Sequence, residues 1–376
     1  MARELVAIIK HDCPVCVELL PALDAAAVSG APLRIVSQSD GGDTSALWER
    51  LGLGARVELD EELALSDRLD LDAVPAVVLL DGGEERGRVE GLARDRLAEL
   101  AAEAGVTLRL DGLPAHRPGC ASRTRDPLIA ATLAVRAARA QGRLRSRPLV
   151  LGAHEDPFEA LHDRGLTDGL PVVPPTPERV VAMLEGTRRD SQEVVGVVPP
   201  YGGAATVEKV AINAVMAGCR PEHLPFALAA VEAACVESFT MHGLLATTHP
   251  AGPLIVASGP LTERAGMNAR GNCLGQGNRA NLAIGRTLQL VVRNIGGGRP
   301  QIEDRSAHGQ PGKVGACFAE LLEASPWEPL SVDRGFGAGD TTVTLWAAES
   351  PRFIWEQLAR TPEGLCASIA LALQGV

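Results

Sequence analysis

The chain has 376 residues, 46% of them hydrophobic and 22% charged, with a formal net charge of −11. That length favours two cores over one, and the acidic balance argues against nucleic acid and anionic membrane as partners. No apolar run reaches the roughly 18 residues of a membrane span, and the opening MARELVAIIK lacks the longer apolar stretch of a secretory signal, so a cytoplasmic chain with no membrane partner is expected.

Eight cysteines over this length are too sparse for a disulfide scaffold. In a reducing compartment a close pair of them points instead to redox chemistry or metal binding. Only Lys10, Lys209 and Lys313 stand among the 36 basic residues. In a chain that uses arginine wherever simple positive charge suffices, each lysine is a candidate for a specific task.

In chain order, residues 4–10 (ELVAIIK) read as a buried strand, and CPVCVELLPALDAAAVSG has helical spacing with a glycine stop. Then follow LRIVSQ as a strand, DTSALWERLGL as a helix capped by Asp43 or Thr44, and VPAVVLLDGG as a third strand. RGRVEGL is its hairpin partner and ARDRLAELAAEAG a last helix. Cys13 and Cys16 thus fall at a strand-to-helix junction. A thiol at a helix N-terminus feels the positive end of the macrodipole and unpaired N–H groups, which favours its thiolate. Cys13 is placed to be that nucleophile, and Cys16, one turn inside, to resolve a mixed disulfide as the second half of a redox-active pair. Pro14 fits the first turn, where its missing N–H costs no bond. A zinc clip is the alternative, with only His11 close by in sequence.

Cys13-Pro14-Val15-Cys16 after the first strand, with Val74-Pro75 opening the third, resembles the thioredoxin fold over about residues 3–107. The resemblance implies a cis Pro75 facing the cysteines and thiol–disulfide chemistry, for which a cellular thiol or disulfide reductase is the expected electron source. Pro14-Val15 is closer to the glutaredoxin type, and Asp12 stands where thioredoxin keeps a tryptophan.

Residues 108–150 read as a connector: a loop, GLPAHRPGCASRTRDP, then a helix capped by Asp126 with Pro127 at its first position. Cys120 has His116, Arg117, Arg123 and Arg125 around it in sequence, a cationic setting that favours thiolate. It is a candidate relay that Cys13 can reach, or an ordinary loop cysteine.

Residues 151–376 read as a larger α/β domain of mixed order, with Gly- and Pro-rich loops. ATVEKVAINAVMAG is a helix ending at Gly218, RPEHLPFALAAVEAAC a helix starting at Pro221, and GPLIVASG and DTTVTLWAA are strands. The chain as a whole is therefore expected to be α/β, and G-x-G-x-x-G after a strand, a Walker loop, H-E-x-x-H and G-x-S-x-G are all missing.

Three places carry candidate chemistry. Cys219 precedes the helix at Pro221, an electrostatic position like that of Cys13, with His223 as its base. In GNCLGQGNRANLAIGRTLQLVVRN, the glycines Gly275 and Gly277 can bring backbone close to a ligand, and a helix from about Asn278 offers its N-terminus to an anion. Arg279, Arg286 and Arg293 recur every seven residues on that helix, and Arg279 is best placed for a carboxylate or phosphate. In HGQPGKVGACFAE, Lys313 and Cys317 sit in and after a glycine loop, and with Lys209 the lysines are candidates for acid/base or oxyanion work. His249, in MHGLLATTHPAG, is a further candidate base or ligand. DGLPVVPPTPERV, EKVAINAVMAGC, GNRANLAIGR and QPGKVGACFAE together resemble a bacterial family with no assigned activity over roughly 165–375, which implies a self-standing domain and transfers no function.

The leading expectation is a redox or sulfur-transfer enzyme: the CxxC domain serves a second domain that acts on a small anionic substrate through Cys219. Tethering would raise the reductant to an effective concentration in the millimolar range at its partner site. Alternatives are a metal- or iron–sulfur-dependent lyase or hydratase using Cys219, Cys273 and Cys317, a thiol-dependent carrier, and a protein disulfide reductase; a homo-oligomer is also left open.

Overall fold

The computed structural model describes residues 3–374, and the chain divides into two compact units, Met1–Ala137 and Ala138–Val376. Both are mixtures of helix and sheet, as the α/β expectation has it. The stretch expected as a connector is shared between them, because the division falls inside the helix that follows Asp126.

In the first unit β1 (Arg3–Ile9), α1 (Pro14–Val28), β2 (Leu33–Ser37), α2 (Gly41–Leu51), β3 (Val57–Leu59) and α3 (Ala64–Arg68) are followed by β4 (Ala73–Val74), β5 (Ala76–Asp81), β6 (Glu84–Glu90), β7 (Leu92–Ala93) and α4 (Arg94–Glu103). The main sheet runs β3-β2-β1-β5-β6. β1 is parallel to β2 (Leu5 opposite Leu33) and antiparallel to β5 (Val6 opposite Val78). Leu5 to Ile9 are wholly buried, which is why β1 reads as a continuous apolar run: a central strand covered on both faces has no polar side. Val74–Pro75 is a cis peptide, and CPVC lies between β1 and α1, both as the resemblance implies.

Three details differ from the sequence reading. Asp40 caps α2, its Oδ1 accepting from Asp43 N–H at 2.8 Å, while Thr44 is buried and bonded to Ser37 Oγ at 2.8 Å. The short β3 and α3 escape periodicity because neither is long enough to show one; β3 exists through its parallel pairing with β2. The expected loop after residue 107 contains β8 (His116–Arg117) and β9 (Cys120–Ala121), and then α5 (Pro127–Ala140). Asp126 Oδ1 accepts from Leu128 N–H at 2.9 Å, which is the cap expected for α5. β8 pairs with β7, and β9 with β4.

The second unit comprises α6 (Pro157–Asp163), α7 (Pro177–Leu184), β10 (Val194–Val198), β11 (Gly203–Thr206), α8 (Val207–Ala217), α9 (Leu224–Cys235), α10 (Met241–Ala246), β12 (Gly252–Ser258), α11 (Leu261–Arg264), α12 (Arg279–Val291), β13 (Ala316–Ala319), α13 (Leu330–Asp333), β14 (Thr342–Ala348) and α14 (Pro362–Gln374). β12 is the middle strand of a three-stranded sheet, parallel to β13 and antiparallel to β14. α8 begins where Thr206 Oγ1 accepts from Lys209 N–H at 3.2 Å and stops at Gly218, whose φ of 89° suits glycine. α12 is the central helix, packed on α8, α9 and β13. Its contact with β13 is backbone on backbone: a Cβ on Gly285 would lie 2.8 Å from Ala316 N, and one on Gly315 would lie 2.4 Å from Arg286 N. Only glycine allows so close an approach.

Candidate functional site

The first unit builds a centre of three sulfurs. Cys13 sits at the N-cap of α1 and has no exposed surface. Its Sγ accepts from Cys16 N–H at 3.3 Å and, as a thiol, donates to the Val74 carbonyl at 3.4 Å. The Cys16 thiol hydrogen-bonds this sulfur and is the main cause that brings Cys13 down to about 5; burial opposes it, and the Cys120 thiol with the N–H groups of Cys16 and Cys120 add to it. The donors stabilise negative charge on one sulfur at the expense of the other two. Cys16 is pushed well up by burial and then by the hydrogen bond and charge of Cys13. Cys120 is pushed up by burial and then by the same Cys13 sulfur. Cys13 is thus the group with thiolate character at neutral pH, and the other two carry protons.

The cationic setting expected for Cys120 does not act on it, which corrects the sequence reading. Arg117 pairs with Glu18, Arg123 donates to the Gln38 carbonyl, and Arg125 holds Asp70 at 2.7 Å and Asp72 at 2.8 Å. Each guanidinium is engaged elsewhere. What sequence reasoning missed is how tightly this segment is built in. Ser122 N–H donates to the Asp72 carbonyl at 2.9 Å, Gln38 Nε2 to Ser122 Oγ at 2.8 Å, and Thr124 Oγ1 to the Leu71 carbonyl at 3.1 Å. Gly119 is wedged so closely that a Cβ there would meet the Val74 carbonyl oxygen at 2.7 Å. A glycine in an otherwise polar loop was the available signal.

The second unit contains a cavity of about 940 Å³ with walls from several segments, among them Leu170, Val173, Leu254, Leu282, Arg279 and Arg286. Arg286 is held bidentate by Asp168, both bonds at 2.7 Å, and also donates to the Pro171 carbonyl at 3.0 Å. Burial alone would raise the Asp168 carboxyl, but the hydrogen bonds and charge of Arg286 outweigh it and hold the group below its ordinary value. Arg279 donates only Nε, to the Gly218 carbonyl at 3.0 Å; among the described residues its terminal N–H groups have no partner. Arg293 lies beyond α12, does not line the cavity, and burial is the main cause that lowers it. The expected arginine face is therefore two residues on the cavity, one free to bind and one already paired.

The remaining candidates fall away from this arrangement. Cys219 is buried against Thr287, Sγ to Oγ1 3.3 Å, and burial pushes its thiol up to about 12 although Thr287 and Arg279 work the other way. This overturns the expected thiolate: the side chain turns into the core rather than toward a helix N-terminus. His223 is no base for it, because Nδ1 accepts from Arg220 N–H at 3.0 Å and Nε2 donates to the Ala265 carbonyl at 3.2 Å. Cys317, on β13, is also buried and raised by burial. Among the described residues no three His, Cys, Asp or Glu side chains converge in a way that could hold a metal ion, so Cys219, Cys273 and Cys317 do not form the imagined ligand set.

Lys313 Nζ is paired with Asp304 at 2.8 Å and Ser306 Oγ at 2.6 Å, a half-buried structural bond. Lys209 Nζ donates to the Ala204 carbonyl at 2.9 Å on the surface. His249 Nε2 meets Glu349, a cavity residue, at 2.5 Å, with most of its ring exposed. Asn278 Nδ2 is spent on the carbonyls of Asn272 and Gly275, at 2.6 and 2.9 Å, so it shapes its loop. Neither Gly275 nor Gly277 lines the cavity; Leu274 does.

No protein-family model matches the chain, and no curated protein matches it. Among solved structures the chain is similar to StoA from Bacillus subtilis, at 16% identity over 27% of this chain and 82% of that one, with a TM-score of 0.24. It is similar to a secreted Mycobacterium tuberculosis disulfide oxidoreductase homologous to E. coli DsbE, at 17% identity over 27% and 81%, TM-score 0.24. A putative thioredoxin from Neisseria meningitidis matches at 18% identity over 28% and 75%, TM-score 0.25.

Proposed function

We propose that the chain is a thiol–disulfide oxidoreductase in which the first unit performs the exchange. The observation that carries this reading is the placement of Cys13 at the N-cap of α1, its sulfur accepting from Cys16 N–H at 3.3 Å beside the Cys16 thiol that brings it down to about 5. The thiolate attacks one sulfur of a disulfide R–S–S–R, forming Cys13–S–S–R and releasing R–S⁻. Cys16 then gives up its proton to the leaving thiolate and attacks Cys13 Sγ, which frees the second R–S⁻ and leaves a Cys13–Cys16 disulfide. Two electrons pass to the substrate, and the pair is re-reduced by an external dithiol.

The test uses oxidised glutathione as substrate. Cys13→Ser should lower the exchange rate about 100-fold or more, and Cys16→Ser should trap Cys13 in a disulfide with a sulfur other than that of residue 16. Cys219→Ala and Cys317→Ala should leave the rate within about twofold and cost roughly 1–2 kcal/mol of stability through lost packing. Retention of full exchange in Cys13→Ser overturns the reading.

A second reading concerns the other unit and rests on Arg279. A cavity with apolar walls and one guanidinium whose terminal N–H groups are unpaired suits an amphipathic anion, such as an alkyl carboxylate. Octanoate titrated into the full chain should bind, and Arg279→Ala should weaken it about tenfold or more, the loss of a charge-assisted hydrogen bond. Equal affinity of the two proteins for octanoate removes Arg279 from the site.

A further inference from the structure

We propose that Cys120 is a third redox residue of the thiol centre: it closes on Cys13 as a disulfide, and it is the sulfur at which a small polar thiol from outside exchanges. This deepens, and rests on, the exchange reading above.

The placement comes from the fold. β9 pairs antiparallel with β4, with Cys120 opposite Val74, and the Val74 carbonyl is the group the Cys13 sulfur touches. Cys120 packs against the buried cluster that contains Cys13 and is among the groups that lower the Cys13 thiol. β9 adds to the β4 edge as an extended peptide would, through main-chain pairing, but it belongs to the chain. Gly119 wedged on β4 and the buried Gln38, Ser122 and Thr124 anchor it on both sides of Cys120. It is a fixed element rather than a loose cover.

Access is the second observation. Cys13 and Cys16 are both wholly buried, whereas Cys120 is partly exposed. An external molecule therefore meets Cys120 first. The next residues, Asp12 and Ala121, begin a cleft of about 520 Å³ whose walls include Lys10, Asp40, Arg123 and Asp126. Charges of both signs, with Ala121 and Ile129 as its apolar residues, suit a small zwitterionic thiol better than an unfolded polypeptide.

The chemistry balances in the oxidising direction. An incoming R–S⁻ attacks Cys120 Sγ of a Cys13–Cys120 disulfide, giving Cys120–S–S–R and releasing Cys13 as its stable thiolate, a good leaving group. A second R–S⁻ attacks the R sulfur, giving R–S–S–R and a Cys120 thiolate, which takes up one proton. Two R–SH are oxidised, one protein disulfide is reduced, and the other proton goes to solvent. An external disulfide restores the oxidised centre by the reverse path. Exchange with Cys16 inside the oxidised centre moves the bond without net oxidation: Cys16 attacks Cys13, and its proton passes to Cys120.

The test uses the full-length Cys16→Ser protein, oxidised with glutathione disulfide, trapped with N-ethylmaleimide and mapped by peptide mass spectrometry. The expected product is a Cys13–Cys120 link, at least about tenfold over the Cys13–glutathione adduct because the tethered thiol is at millimolar effective concentration. Brief treatment of the oxidised protein with reduced glutathione should then place the adduct on Cys120. A glutathione adduct on Cys13 beside a free Cys120 overturns the inference and leaves the exchange reading standing. No adduct or disulfide at Cys13 or Cys120 overturns both. If Cys16→Ser does not fold, Cys120→Ser gives the same decision: it should still form Cys13–Cys16, and reduction of that bond by glutathione should slow about tenfold or more. An unchanged rate overturns the inference.

Discussion

Alkylation of Cys13 by iodoacetamide will follow a single ionisation centred near pH 5, flat above about pH 6 and falling about tenfold per pH unit well below the midpoint. An ordinary cysteine titrates at about 8.5, so at pH 6 the Cys13 rate should exceed that of a free cysteine peptide once both are corrected for access. The same shift makes the reduced protein's stability depend on pH. The folded state holds the Cys13 proton less tightly than the unfolded chain does, so between about pH 8.5 and about pH 5 the unfolded chain binds more protons and stability rises with pH. The contribution is fully present above the unfolded value and is lost as pH falls through the folded one, at on the order of 1 kcal/mol per pH unit inside the window. Urea unfolding of the reduced protein at several pH values checks this, with Cys13→Ser as control; a slope that survives in Cys13→Ser would assign it to another group.

Asp168→Ala should cost about 3 kcal/mol, a large share of a domain's net stability, because it leaves the Arg286 guanidinium buried without its carboxylate. Asp168→Leu combined with Arg286→Met should recover most of the loss, since neither charge then needs a partner. The pH window differs from that of Cys13. A carboxyl held below its ordinary value stabilises above about pH 4 and loses that contribution as pH falls through its folded value, so this pair gives way only in acid. Urea midpoints of the two variants decide the matter; equal midpoints for Asp168→Ala and the unaltered protein would mean that Arg286 finds full compensation in the Leu170 and Pro171 carbonyls it already touches.

The thiol centre was legible in sequence because its main parts are local. Cys13, Pro14 and Cys16 lie within one helical turn, and strand-to-helix patterning puts that turn at an N-terminus. Val74-Pro75 could be read only through the resemblance. The electrostatics of Cys120 were misjudged because the partners of Arg117 and Arg123 are 99 and 85 residues away. Charge density along a chain says nothing of where each side chain is spent. Cys219 shows the complementary failure: helix-terminus reasoning assumes a side chain that faces solvent, and burial against Thr287 reverses the sign of the shift. Scarcity of lysine likewise misdirected attention to Lys313, whose neighbour Asp304 is close in sequence but gives no signal of pairing. Of the cavity only the α12 face with Arg279 and Arg286 was legible, since the other walls come from segments scattered between residues 170 and 351.

The glycine contact between α12 and β13 sets how the second unit can change over evolutionary time. Where Gly285 meets Gly315 and Ala316, part of the cavity wall is main chain, so no side chain there can be trimmed to enlarge it, and any added carbon must push helix and strand apart. Diversification of ligand is thereby channelled to the rim, to Leu170, Val173, Leu274 and Leu282, where substitutions alter the opening without moving the framework. A lineage of such proteins would keep the depth of its pocket and vary its mouth.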